Sequence, residues 1–192
     1  MFSEFGTLID INKNQLSLYV HWPYCETKCP YCDFNSHVIE EIDVKKWIKS
    51  YKNQLYNMKE ELIKKNIRYT NLSTIFFGGG TPSLMPLEII ETIIDTCNDI
   101  YGLKKDIEIT LEANPSSYDG KKFLKLKQIG INRLSIGIQS LNNANLKFLG
   151  RLHNIKDVEI ALKDASKIFD NISVDLIYAL HGQKLTDWIN EL

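Results

Sequence analysis

The sequence predicts an α/β fold with parallel strands joined by right-handed helical crossovers, on two observations. Strand-like and helix-like segments alternate in series along the chain, and a strand–helix–strand series within one sheet winds right-handedly. The distinctive glycine, cysteine and acidic residues fall where the strand segments end, which is where such folds carry their chemistry. Either a (β/α) barrel or an open doubly wound sheet satisfies both observations.

The elements follow in order. LSLYVH, over 16–21, reads as a short buried strand that runs straight into the cysteine-bearing segment. A helix is expected over 44–65, with Trp47, Tyr51, Leu55 and Met58 at helical spacing. The apolar run TIFF at 74–77 is the second strand and ends at Gly78-Gly79-Gly80. A helix over 87–101 is closed by Gly102, a residue suited to the C-terminal cap. The third strand, 107–111, closes on Glu112 and Pro115, and a helix over 121–129 stops at Gly130. A fourth strand over 133–140 carries Gln139 at its end, followed by a helix over 156–169. The fifth strand, 172–180, contains Asp175, and a further helix begins at 186. No repeat, low-complexity tract or linker breaks the series, so residues 1–192 read as one domain.

Composition narrows the function classes. With 192 residues, 44% apolar and 24% charged, the chain can build one sizeable core. A net charge of −1 gives no electrostatic case for nucleic acid as the main partner. The lysines between 45 and 65 interleave with acids and read as a solvated helix face. No apolar run approaches the roughly 20 residues of a membrane-spanning helix, and the start lacks the basic and apolar stretches of a signal peptide. The expected setting is the reducing cytoplasm, which suits free thiolates.

The most informative stretch is HWPYCETKCPYCDFNS, where Cys25, Cys29 and Cys32 follow the pattern C-x3-C-x2-C. Iron–sulfur clusters of the [4Fe–4S] type normally take four cysteine thiolates, so three local ligands would leave one iron open to a small molecule. Pro23 and Pro30 restrict the backbone where this loop must bend. Half of a zinc site is the competing reading, because C-x2-C fits zinc knuckles. Zinc would want further ligands, yet the other cysteine, Cys97, lies alone in a helical pattern and no His-x3-5-His pair exists. A disulfide framework does not suit four cysteines in a chain of this length. Spacing favours the cluster.

Taken in order, the segments YVHWPYCETKCPYCDFNS, FFGGGTPS, LEANP, RLSIGIQSLN, LGRLH and DLIYALHGQ resemble the radical S-adenosylmethionine (SAM) proteins of the oxygen-independent coproporphyrinogen III oxidase family. That family includes a branch of heme chaperones (HemW). The resemblance runs over 16–183 and implies a partial (β/α) barrel of the radical SAM type, with about five of its six βα units in this chain. It implies a [4Fe–4S] cluster on Cys25, Cys29 and Cys32, with SAM chelating the remaining iron. Gly79, Gly80 and Thr81 match the family's glycine motif, where absent Cβ atoms let the backbone approach the cofactor; by themselves, three glycines are equally a tight turn. Glu112 and Asp175 match SAM-contacting positions, as carboxylates accepting from hydroxyls or an ammonium. Gln139 and Arg151 match as well, Arg151 suiting a carboxylate. Tyr19 and Tyr31 match aromatic positions beside cluster and cofactor, against a competing role in core packing. His21 lies within a family motif but equally reads as a residue that caps the loop, and His153 and His181 receive no role.

The resemblance also divides the functional possibilities. The family's oxidases carry a fourth cysteine two residues after the third, where this chain has Phe34, and a longer segment before the cluster loop. CDFNS resembles the heme chaperone branch instead. The implied function is a radical SAM protein that binds heme and delivers it to apo-proteins. The second possibility is oxidative decarboxylation of coproporphyrinogen III in porphyrin and heme biosynthesis, and the third an inactive fragment of either. DLIYALHGQ departs from the family's usual DLIYGLPGQ at Ala179 and His181, which relaxes the constraint on that turn. The sixth βα unit, the C-terminal domain and the HNxxYW-type motif that the resemblance associates with heme binding are expected to lie outside the chain, so either a second polypeptide supplies them as a partner or the chain is the product of an interrupted gene.

Overall fold

The computed structural model describes residues 15–38, 41–69 and 71–192. Its centre is a five-stranded parallel sheet in the order β1-β4-β5-β6-β7. These strands are β1 (Leu16–Trp22), β4 (Leu72–Gly79), β5 (Leu103–Ala113), β6 (Arg133–Gln139) and β7 (Asn171–Leu176). Two further strands, β2 (Tyr24–Cys25) and β3 (His37–Val38), form a small parallel ladder at the base of the cysteine loop. The helices are α1 (Val44–Lys64), α2 (Leu87–Tyr101), α3 (Gly120–Gln128), α4 (Asn143–Phe148), α5 (Ile155–Ile168) and α6 (Leu185–Glu191).

Strand order decides between the two candidate architectures. A doubly wound sheet reverses direction at a switch point, whereas this one progresses along the chain without reversal. The connecting helices progress with it, α1 packing on α2, α2 on α3 and α3 on α5. The result is an arc of a (β/α) barrel, helices outside and a concave inner face.

Side-chain alternation along the strands separates the two faces. Leu18, Val20 and Trp22 on β1, Ile75 and Phe77 on β4, Ile109 and Leu111 on β5, and Leu134, Ile136 and Ile138 on β6 are buried in one core with the helices. Ile89, Ile90 and Ile93 of α2, Phe123 and Leu126 of α3, and Val158 and Ala165 of α5 close that core from outside. Positions of the opposite parity, such as Ser17, Tyr19 and His21, or Arg133, Ser135 and Gly137, face the concave side. Trp22 is fully buried beneath Trp47 of α1, ring centroids 5.4 Å apart, and Tyr51 of α1 donates from its hydroxyl to the His21 carbonyl at 2.7 Å. Side-chain caps fix the helix starts: Asp43 for α1, Asp119 for α3 and Asn142 for α4, with a reciprocal Asn154–Asp157 capping box on α5.

Several boundaries differ from the sequence reading. The third strand extends to Leu103–Ala113, well beyond 107–111 at both ends. The fifth stops at Leu176 rather than 180: β6, its pairing partner, ends at Gln139, which has a φ of 66°, and after a last bond from Ile177 N–H to Gln139 O at 2.9 Å the chain turns away, with Ala179 at a φ of 59°. Neither α4 nor the β2–β3 ladder was expected. Among the described residues β1 and β7 each have one strand neighbour in the main sheet, and no helix is long and apolar enough to cross a membrane.

Candidate functional site

At the carboxyl ends of the strands the arc surrounds a cavity of about 430 Å³. The loop after β1 contributes Cys25, Cys29, Tyr31 and Cys32, and the end of β4 contributes Gly79, Gly80 and Thr81. Glu112 comes from β5, Gln139 from β6, Arg151 from the loop after α4 and Asp175 from β7. Of the residues singled out by sequence, Tyr19 does not line the cavity. It sits lower on the concave face, 57% exposed, its ring stacked on Phe76 with centroids 6.0 Å apart.

The cysteine loop is tied at its base and braced by the glycine segment. His37 N–H donates to Pro23 O at 2.7 Å, and Cys32 N–H to Cys29 O at 3.0 Å forms the inner turn. His21 lies 2.9 Å through Nε2 from the Asn35 carbonyl, which makes it a loop cap. Gly80 and Thr81 donate their N–H groups to Trp22 O at 2.6 Å and Tyr24 O at 2.8 Å. A Cβ on Gly80 would stand 2.6 Å from Tyr24 O and 3.0 Å from Cys25 Sγ, so the absence of a side chain there sets how near the two loops come.

Cys25, Cys29 and Cys32 are free and partly exposed. Cys97 is different in kind: it is fully buried in α2, and burial pushes its thiol up to about 12. Among the described residues no three Cys, His, Asp or Glu side chains converge on the position of a single ion, which is what a mononuclear zinc site would require. Three soft sulfur donors distributed around one cavity wall fit a multinuclear iron–sulfur cluster.

The opposite wall is acidic. Glu112 accepts the Gly79 N–H at 3.2 Å. Burial holds its pKa above the ordinary carboxylate range, Asp175 adding to the rise while the Gly79 N–H and His21 oppose it. Both Asp175 oxygens lie 3.3 Å from Ser135 Oγ. Behind Ser135 a polar chain runs down the concave face: Ser173 Oγ at 3.2 Å, then Arg133, whose Nη2 is 3.1 Å from Ser173 Oγ and whose Nη1 is 3.7 Å from Glu108. Sequence reasoning missed Ser135. Its one available signal was parity, since it lies two and four residues before Gly137 and Gln139 on the same strand face.

Between the two walls stands Arg151. Its Nη2 donates to Gly137 O at 2.8 Å, while Nη1 lies 3.5 Å from Cys29 Sγ and 3.4 Å from the Tyr31 hydroxyl. Its Nε is buried without a hydrogen-bond partner among the described residues. The Tyr31 hydroxyl is pushed up to about 12, chiefly by burial, so it is a neutral donor at physiological pH. His153 is buried, with Nε2 3.1 Å from Ile138 O and Nδ1 3.2 Å from Asn114 Oδ1. Burial and the neighbouring Arg151 lower its pKa, and its place is structural. The cavity thus offers thiolates for a cluster, carboxylates for hydroxyl or ammonium hydrogens, and a guanidinium for an anion. The orphaned Arg151 Nε and the Gly80 approach both fit a bound group there.

Residues 19–191 match the family model described as the Radical SAM superfamily. The heme chaperone HemW of Buchnera aphidicola is 41% identical over 177 residues, covering 92% of this chain and 46% of that protein. HemW of Escherichia coli is 37% identical, covering 92% and 46% respectively. The mitochondrial radical S-adenosyl methionine domain-containing protein 1 of Dictyostelium discoideum is 40% identical, covering 100% of this chain and 45% of its own length. A solved structure of coproporphyrinogen III oxidase (HemN) from Escherichia coli superposes with a TM-score of 0.80 at 24% identity, over 93% of this chain and 41% of that one, a likeness of fold. The chain spans about half the length of the curated relatives it matches, 46% in the first case.

Proposed function

The chain belongs to the radical SAM superfamily, and from that premise we propose that its cavity binds a [4Fe–4S] cluster and SAM in the service of heme handling. The observation that carries this reading is the meeting of Cys25, Cys29 and Cys32 with Gly79, Gly80, Thr81, Glu112, Gln139, Arg151 and Asp175 around one cavity. Cys25, Cys29 and Cys32 hold the cluster. When bound, a cluster on three cysteines supplies an open iron and one-electron chemistry.

The protein's own groups then divide the rest of the work. The backbone of Gly79 to Thr81, bare of side chains at its two glycines, would let the methionine portion of the cofactor approach. Glu112 and Asp175 accept from its hydroxyls or ammonium, Asp175 being oriented by Ser135. Arg151 offers an N–H toward its carboxylate, and Gln139 and Tyr31 fill the remaining wall. Tyr19 is not part of the cavity lining, but its hydroxyl lies beside Gly78 and within electrostatic reach of Glu112, so it stands at the edge of the site as a further cofactor contact. Heme, delivered to apo-proteins, is the proposed cargo, supported by the names of the HemW relatives and by Phe34 standing where the oxidases carry a fourth cysteine.

Anaerobic reconstitution with iron and sulfide tests the core of this reading. About four irons per chain are expected, with an EPR signal on reduction that changes when SAM is added. Replacing any of Cys25, Cys29 or Cys32 by Ala should abolish the signal, and Cys97→Ala should not. A cluster that survives the loss of any one of the three sinks the assignment. Heme titration under reducing conditions, run beside an assay for coproporphyrinogen III decarboxylation, separates chaperone from oxidase: turnover with Phe34 in place favours the enzyme.

A further inference from the structure

Arg151 is placed for a second task beyond receiving SAM. It lies in the loop after α4, and that loop is seated against the cysteine loop. Gly150 has a φ of 68°, and a Cβ there would stand 2.7 Å from Cδ of Pro30, the residue between Cys29 and Tyr31. Only a residue without a side chain lets the two loops meet this closely. The guanidinium is fixed at one end by Gly137 O on β6, 2.8 Å from Nη2, and reaches Cys29 Sγ and the Tyr31 hydroxyl from Nη1. A rigid strand, a planar fork and the cysteine loop are thereby joined through one side chain.

We infer that Arg151 is a positioning residue for the cluster, clasping the Cys29 sulfur from β6 and raising the reduction potential of the cluster bound there. The inference rests on the proposed ligation of the cluster by Cys29. Hydrogen bonds to ligand sulfurs and nearby charge are recognised means by which a protein tunes such potentials. The reduced cluster carries one more negative charge than the oxidised one, so a cation and an N–H directed at a ligand sulfur favour reduction. The contact involves electron transfer alone: one electron enters from an added reductant, and no bond to Arg151 or Cys29 forms or breaks.

The test is an EPR-monitored redox titration of the reconstituted chain with dithionite as reductant and without SAM, so that cofactor contacts of Arg151 do not contribute. Arg151→Gln should reduce the ratio of reduced to oxidised cluster at fixed poise by at least about tenfold, equivalent to 59 mV for one electron. Arg151→Lys, which keeps a point charge but loses the fork, should fall between. A folded Arg151→Gln chain that binds fewer irons while Arg151→Lys binds the full complement supports the positioning role. Variants that load fully and titrate with the wild type overturn the inference. If neither variant loads, wild-type protein carrying ¹⁵N-arginine decides: a ¹⁵N hyperfine coupling to the reduced cluster supports the contact, and none overturns it. A wild type that takes up no cluster, or a Cys29→Ala variant that keeps one, instead fails the parent reading.

Discussion

Glu112 shows how a single side chain is set against the fold that holds it. Its raised pKa means that the folded state binds its proton more tightly than the unfolded chain does. The sign follows: this group's contribution to stability is lost as pH rises from the ordinary carboxylate range through the raised value. Glu112→Gln, which keeps an acceptor for the Gly79 N–H, should therefore melt above the wild type at pH 7.5, the gap closing toward pH 4. The same substitution should weaken SAM binding about tenfold or more, since a hydrogen bond to a charged group contributes roughly 1.5–3 kcal/mol. Paired thermal melts and calorimetric titrations check both halves, and a variant that melts lower at pH 7.5 would count against the burial argument. At this scale the sequence disclosed residues with distinctive chemistry, such as the cysteines, Glu112 and Asp175, and left His21 open between a motif role and the loop cap that the structure shows. It did not disclose Ser135, because a serine in a strand is ordinary until the side chain that it hydrogen-bonds on the adjacent strand, Asp175, is known.

Among the elements, the junction of β1, β2 and the end of β4 controls the site. Gly80→Ala introduces a Cβ 2.6 Å from Tyr24 O, so either β2 or the glycine segment must move. Overpacking of this kind costs about 1–3 kcal/mol. The expected outcome is a chain that still melts cooperatively, a few degrees lower, but takes up little iron because Cys25 has been displaced. Full iron uptake by Gly80→Ala would show that the loop adapts freely. The long, strongly periodic elements were legible in advance; the short ones were not. Six-residue α4 spans too few turns to establish a helical period, and the two-residue β2 and β3 exist only through their mutual pairing and the Pro23–His37 closure. The fifth strand was overextended for a related reason. Its apolar run continues past Leu176, and the end of its pairing partner at Gln139 is a tertiary event.

For the whole molecule, strand order was beyond the reach of periodicity alone, because alternating strands and helices suit a barrel and a doubly wound sheet alike; the motif resemblance to the radical SAM family implied the partial barrel, and the strand order bears it out. The observed order predicts a gradient of protection. β4, β5 and β6 have a partner on both sides and a covered outer face, while among the described residues β7 has one partner, and none of its own residues is buried. Amide hydrogen exchange should be slowest in β4 and β5 and fastest, among the five strands, in β7; protection of β7 equal to that of β5 would reveal a second neighbour in solution. The parity rule that separates the two faces has a consequence for how such a chain can change over generations. Positions that bury side chains under the helices answer to folding, and the intervening positions answer to what the concave surface binds. A saturation mutagenesis survey scored separately for abundance and for ligand binding should show the two sensitivities alternating residue by residue along β5 and β6. New specificity can then arise on one parity while the other keeps the scaffold intact, with little epistasis between them.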